Sequence, residues 1–375
     1  MRAWFFKSLL ILVAGLWLSA AVGRAEPVKL GLYLPMTGAA AAMGEMVWEG
    51  VQIAHQMQPS VLGRKITLAL VDTKSDKIEA ANAVSRLLEK EKVVAIIGEV
   101  ISGDTLAGAP IAERAQVPNI TPTATNPLVT QNRRYTFRAC FVDNFQGRVG
   151  ARFAWENLKA RRVAVIIDQA QDYCVGLASF FMREFKNLGG QIVSITYIQT
   201  GDQDFTAQIS ALKGSRPDLI YAPNYYAEDA LLAKQVQDLG LRIPILTGDG
   251  AQVPELLTIG GNAVEGMYFT AHFHREAAAT PLARQFIQAY ESTNRKELDA
   301  FAALGADCYF LLHHAIETAQ STHGPQIRQA LTTIKDFPAV SGTITIGPDN
   351  NPIKEMVINK VKNGRFVYVT TIKAY

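Results

Sequence analysis

Short apolar runs alternate with longer amphipathic ones along this chain, and that alternation limits the fold more than any other feature. The runs "VKLGLYLP" (28–35), "ITLALVD" (66–72) and "VVAIIG" (93–98) are rich in β-branched residues and bounded by Gly, Pro or Asp, so they read as strands. A helix is predicted over 76–90: Ile78, Ala81, Val84 and Leu88 share one face, and Asp76 with Glu79 fits a capping box. The pattern restarts at "RVAVIID" (162–168) and continues through "QIVSITYI" (191–198), "PDLIYAP" (217–223) and "IPILTGD" (243–249). Leu177, Phe181, Phe185 and Leu188 form one stripe between the first two of these, and further helices are expected over 204–213 and 226–239. Strands separated by helices of this length build parallel sheets from βαβ units. Two such runs predict two doubly wound α/β domains with helices on both sheet faces. The tail reads as helices near 280–293 and 300–319, a strand "GTITIG" (342–347), and a hairpin of 355–364 and 365–372 turned at Lys362-Asn363-Gly364. It is too small for a third domain, so it should complete the first two, with the chain passing between them more than once.

The N-terminus carries its own signal. Arg2 and Lys7 accompany the uncharged run "SLLILVAGLWLSAAV" (8–22), followed by the small-residue site "GRA" (23–25). This is the pattern of a secretory signal peptide over 1–25, cleaved near Ala25. The apolar run is 15 residues, short of the ~20 needed for a span, and no Cys at the cleavage site would take a lipid. The formal charge of +3 comes from 37 basic and 34 acidic residues. Losing Arg2, Lys7 and Arg24 leaves 34 against 34, so the basic excess belongs to the precursor and gives no support to a nucleic-acid or anionic-membrane partner. Removing 25 of 375 residues leaves 350, a length that suits two domains. Cys140, Cys174 and Cys308 are odd in number, so at least one is unpaired or pairs between chains. The fold must then rest on its core rather than on disulfides.

Enzyme signals are absent from the sequence. No GxGxxG follows the first strand, and there is no GxxxxGK[ST] or GxSxG. His272 with His274, and His313 with His314, are spaced so that no helix aims either pair at one ion; all four are expected to be surface or ordinary packing residues. Cys174 has no nearby His or Asn context for a catalytic thiol. No enzyme activity, metal or cofactor is expected.

Polar residues at strand ends are another matter, because ligands of open α/β sheets bind beyond the carboxyl ends of the strands. In "GEVISGDT" (98–105), Ser102 stands where a helix should begin: it could be a plain N-cap, or its hydroxyl and the free N–H groups could face an anion. In "ITPTATNPLVT" (120–130), the prolines block a helix, and Thr123 and Thr125 would leave the same face if extended; a self-satisfied Thr-rich turn is the alternative. "QAQDYCVG" (169–176) and "APNYYAED" (222–229) present Tyr173, expected exposed in a loop, and Tyr225 with Tyr226. In "TGDGAQ" (247–252), Asp249 stands between two glycines, either as a turn residue or as a carboxylate aimed into the crevice. Neutral donors in one domain and tyrosines with a carboxylate in the other complement a zwitterion. The ligand carboxylate would lie at a helix N-terminus, and an ammonium on Asp249 with a tyrosine face beside it.

These stretches also carry a family resemblance. The chain resembles type I periplasmic solute-binding proteins of ABC importers, the leucine/isoleucine/valine-binding group. "LYLPMTGAAAAMGEMVWEGVQIA", "IIGEVISGDT", "ITPTATNP", "FRACFVDNFQG", "DYCVGLASFF", "GDQDF" and "LTGDG" follow in the family's order over nearly all of the mature chain. The resemblance implies two lobes joined by a three-crossing hinge, 26–143 plus 272–348 and 144–271 plus 349–375, which close on the ligand. It implies that Ser102, Thr123 (often through its backbone) and Thr125 hold an α-carboxylate. Tyr225 and Asp249 would hold the α-amino group, Tyr173 would cover the ligand, and Met43, Trp48 and Phe301 would lie at the side-chain pocket. It further implies a monomer that serves membrane permease subunits in the periplasm. The chain departs from the pattern at Ser75 and Ile101, where many relatives have a disulfide, at Met43 in place of an aromatic, and at "GADCYF" (305–310). The expected function is capture of a small, apolar or branched-chain amino acid. The alternatives are another solute on the same fold (an aromatic acid, an amide or urea-like solute, a dicarboxylate) and a sensor acting in trans.

Overall fold

The computed structural model describes residues 26–373; the expected signal segment lies outside the described residues. The first sheet is built from β1 (Val28–Leu34), β2 (Ser60–Val61), β3 (Arg64–Asp72), β4 (Ala95–Gly98), β5 (Asn119–Thr121) and β6 (Thr136–Arg138), in the order β2-β3-β1-β4-β5-β6. All neighbours pair parallel except β2 on β3. The helices α1 (Ala41–Met57), α2 (Lys77–Arg86) and α3 (Ser102–Ala115) make its crossovers. Asp76 caps α2 by accepting from the Ile78 and Glu79 N–H groups, as the sequence predicts. The expected end of that helix differs, because Leu87–Glu91 continues it as a wider π turn.

The chain then enters a second lobe through α4 (Asp143–Glu156). There follow β7 (Arg162–Asp168), α5 (Asp172–Asn187), β8 (Gln191–Ile198), α6 (Thr206–Ser215), β9 (Leu219–Tyr221), α7 (Tyr226–Asp238), β10 (Ile245–Thr247), α8 (Pro254–Gly260) and β11 (Tyr268–Ala271). It returns to the first lobe with α9 (Pro281–Asn294), α10 (Ala300–Ala319) and α11 (Gly324–Leu331), and forms a small antiparallel sheet from β12 (Phe337–Ala339), β13 (Gly342–Ile346) and β14 (Pro352–Ile353). A third passage delivers the hairpin β15 (Met356–Lys362) and β16 (Arg365–Ile372) to the second sheet, whose order is β16-β15-β11-β10-β9-β7-β8. Its inner strands are parallel and the hairpin is antiparallel.

Both lobes use one plan: the second long strand lies on one side of the first, and the third lies on the other. That reversal opens a crevice at the strand ends. Strands covered on both faces read as continuous apolar runs. Under α2, Tyr33 packs with Val84 and Leu87; Val165, Phe181 and Tyr221 form a separate core in the second lobe. The largest core runs from Leu32, Val47 and Ile97 through Phe301 to Ile220 and Phe269, so it joins the two lobes. Each such side chain contributes about 1.5–3 kcal/mol by burial. No helix among the described residues is long and apolar enough to cross a membrane.

Candidate functional site

The two crevices face each other. Val100 and Ser102 follow β4, Thr123 follows β5, Tyr173 follows β7, Tyr225 follows β9, and Asp249 with Gly250 follows β10; together with Met43 of α1 and Phe301 of α10 they line one cavity. Seven of the nine residues expected from the sequence are therefore brought together. Its volume is only about 10 Å³, the room of a single water, so the lobes are nearly shut over it. A larger crevice of about 720 Å³ lies at the other end of the second sheet, near Arg242, Glu265 and Lys360, but none of the converging strand-end residues reaches it.

Ser102 opens α3, yet Ile101 and not Ser102 is the N-cap residue. The Ser102 hydroxyl instead accepts from the Asn126 N–H at 3.3 Å. Thr123 donates to the Val100 carbonyl at 2.9 Å. The expectation that Thr123 and Thr125 leave one face does not hold: the Ala124 N–H bonds the Thr121 hydroxyl at 3.0 Å, which turns the chain and breaks the period of two. Thr125 is buried outside the cavity lining, with its carbonyl accepting from the Asp143 N–H at 3.0 Å and its hydroxyl bearing on the Asp143 carboxyl, where it favours the ionised form against burial. Trp48 is half-buried against the large core and does not line the cavity either. The turn is held from beneath by Arg138, fully buried, which donates to the Ala124 and Asn126 carbonyls at 2.8 and 3.0 Å and to the Thr130 hydroxyl at 3.2 Å.

In the second lobe Tyr173 is buried as the second residue of α5, not exposed in a loop. Its ring stacks on Tyr225 at 5.3 Å, and its hydroxyl donates to Asp249 Oδ1 at 2.9 Å. The glycines beside Asp249 now have a reason. A Cβ on Gly248 would collide with the Tyr173 hydroxyl, and one on Gly250 would meet the Tyr225 ring at 2.9 Å.

Asp249 has two more partners that the sequence did not single out. Gln146 of α4 donates to Oδ1 at 2.7 Å and also to Thr270 at 2.7 Å, and His272 Nε2 lies 2.9 Å from Oδ2. Burial pushes the Asp249 carboxyl up, but His272, Gln146 and Tyr173 together bring it below the ordinary range, so it is ionised. Burial raises Tyr173 and Tyr225 well above the usual phenol range, so both stay protonated. Gln146 and Arg138 sit inside the stretch "FRACFVDNFQG", where the signal was available. The spacing of His272 and His274 speaks only to a shared metal ion and is blind to a partner 23 residues earlier. All three cysteines are buried and free, and no three His, Cys, Asp or Glu side chains among the described residues could hold a metal ion.

The description "Periplasmic binding protein" matches residues 27–365. The chain belongs to the periplasmic binding protein family. It is similar to the Leu/Ile/Val-binding protein BraC3 of Rhizobium johnstonii, 31% identical over 85% of this chain and 87% of that one. The Leu/Ile/Val-binding protein homolog 3 of Brucella melitensis is 29% identical over 85% of this chain and 86% of that one. Among solved structures, the leucine binding protein LivK of Thermotoga maritima superposes with a TM-score of 0.91 at 49% identity, covering 92% of this chain and 99% of that one. LivJ of Streptococcus pneumoniae, solved in complex with isoleucine, gives 0.88 at 30% identity, covering 93% and 100%. In this periplasmic binding protein two α/β lobes meet over the strand-end crevice.

Proposed function

We propose that this binding protein captures a small apolar amino acid, a branched-chain one first among them, and delivers it to membrane permease subunits without chemistry. One observation carries this: a buried, ionised carboxylate, Asp249, stands across a nearly shut cavity from uncharged donors at the start of α3. That is the charge pattern of a zwitterion receptor. The ligand carboxylate would take the Ser102 hydroxyl and the Thr123 backbone N–H, the Thr123 hydroxyl being already engaged by Val100; Thr125 would join them only by turning its hydroxyl away from Asp143. The ammonium would take Asp249 beside Tyr225, under Tyr173. Met43, Val100 and Phe301 would receive the side chain, with Trp48 further along α1.

A site this small fills only by opening, so ligand would select the closed arrangement of two hinged bodies. The bodies would be 26–143 plus 272–348 and 144–271 plus 349–375, shifted at the third passage. Asn350 donates to carbonyls of Arg133 and Thr136, so 349–353 would move with the first lobe and the hinge would fall at Lys354–Glu355. The protein would act as a monomer, exported after loss of 1–25. A solute without an amine is the second reading, favoured by the three donors that Asp249 already has within the protein. Calorimetry with leucine separates the two. Asp249→Ala should weaken leucine binding by about 2–5 kcal/mol, roughly thirtyfold or more, because it removes the charge partner of a buried ammonium. Unchanged affinity would refute the zwitterion receptor.

A further inference from the structure

We propose that His272 is a positioning residue for ligand selection: it aims Asp249 into the cleft, keeps it ionised, and so sets the preference for solutes that carry an ammonium group. This rests on the amino-acid reading above. His272 lies just beyond β11, with its side chain 1% exposed and Nε2 2.9 Å from Asp249 Oδ2. Gln146 and Tyr173 both bond Oδ1. Oδ2 therefore has one protein donor and a lone pair left for a ligand N–H. The ring is held by Phe141, its centroid 3.9 Å away, on the first passage between lobes.

Burial lowers the His272 imidazole despite Asp249, and Lys354 on the third passage pushes the same way. Burial thus favours the neutral ring; facing a carboxylate oxygen at 2.9 Å, Nε2–H donates and Nδ1 is left unpaired among the described residues. Without the ring, Oδ2 loses its donor and burial acts on the carboxyl unopposed at that oxygen. Other groups face Asp249: Asp143 from α4, raised by burial, and Cys140 from the first passage, pushed up to about 12. Tyr173 from α5, and Tyr221 and Tyr225 from β9 and the loop after it, are all raised by burial. Asp143, like the other groups, is common to all the variants, so its titration cancels between them.

Leucine is titrated calorimetrically from pH 7 to pH 5 into the wild type, His272→Leu and His272→Gln. Binding needs ionised Asp249, so affinity is present above its pKa and is lost as pH falls through it. Raising that pKa moves the loss to higher pH. The wild type should hold its affinity across the range. H272L should lose about tenfold or more by pH 5, and H272Q, which keeps an amide N–H, should hold its affinity as the wild type does. A uniform weakening of H272L at every pH is a packing effect and overturns the proposal. Long-range ¹⁵N–¹H NMR of the wild-type His272 ring needs neither leucine nor a variant. An Nε2–H donated to Asp249 at pH 7 supports the proposal, and an Nδ1–H tautomer overturns it. If the wild type ignores leucine, the amino-acid reading fails and the tautomer still decides the His272–Asp249 link.

Discussion

Arg138 makes a neutral turn stiff. The Thr-rich segment presents no charge to the cleft, yet beneath it a guanidinium ties two carbonyls and a hydroxyl together. Arg138→Ala would remove three buried hydrogen bonds at about 1 kcal/mol each. Urea unfolding should show a loss of about 3 kcal/mol, and a loss well under 1 kcal/mol would mean that water takes over the three bonds. The same scale explains why Asp249 and Tyr173 were legible and the other two partners of the carboxylate were not. A lone acid between two glycines after a strand is a local signal. His272 and Gln146 meet it from 23 and 103 residues away, and nothing local ties either of them to Asp249.

At the scale of elements, α10 decides the cavity wall. It follows the second lobe in sequence but packs along α1 of the first. The close approach rests on small residues: a Cβ on Gly50 would run into the Ala302 backbone, and one on Gly305 into that of Val47. This sets Phe301 and Met43 side by side over the site. Gly50→Ala tests the crossing. Alanine favours a helix by about 1 kcal/mol over glycine, but overpacking against backbone costs about 1–3 kcal/mol. The expected outcome is a net loss of thermal stability together with weaker leucine binding; a stabilised variant would show that the helices slide apart freely. Most long elements were legible because their periods repeat. The strands β6 and β11, of three and four residues, carry too little period to read, yet β11 is the one that leads into His272.

Across the whole molecule, polar contacts at the lip of the cleft add to the shared core in holding the lobes together. Lys77 at the start of α2 pairs with Asp172 at the start of α5 at 2.7 Å, over Gly103, whose absent Cβ would meet Lys77 Cε at 2.6 Å. Asn126 reaches the Asp172 carbonyl at 2.9 Å and Tyr226 reaches that of Ala39 at 3.0 Å. The ion pair is about half exposed on both sides, and such pairs are worth about 0–1 kcal/mol. Lys77→Ala should therefore weaken leucine binding by about fivefold at most, with less dependence on salt. Gly103→Ala should do the same by displacing the lysine, and the double variant should match the singles. A loss near that of Asp249→Ala would mean that the latch, and not the ligand, drives closure.

The sequence by itself determined the α/β class, the two-lobe plan and the strand ends where a ligand would bind, because hydrophobic period and turn chemistry are local properties of the chain. It also marked Ser102, Thr123, Tyr173, Tyr225 and Asp249 as residues of interest. Only the tertiary structure decided which of them share one cavity, that Thr125 and Trp48 stand outside its lining, and that His272 and Gln146 orient the carboxylate. Those facts depend on lobes approaching and helices crossing between residues far apart in the chain, and no local period records such distances.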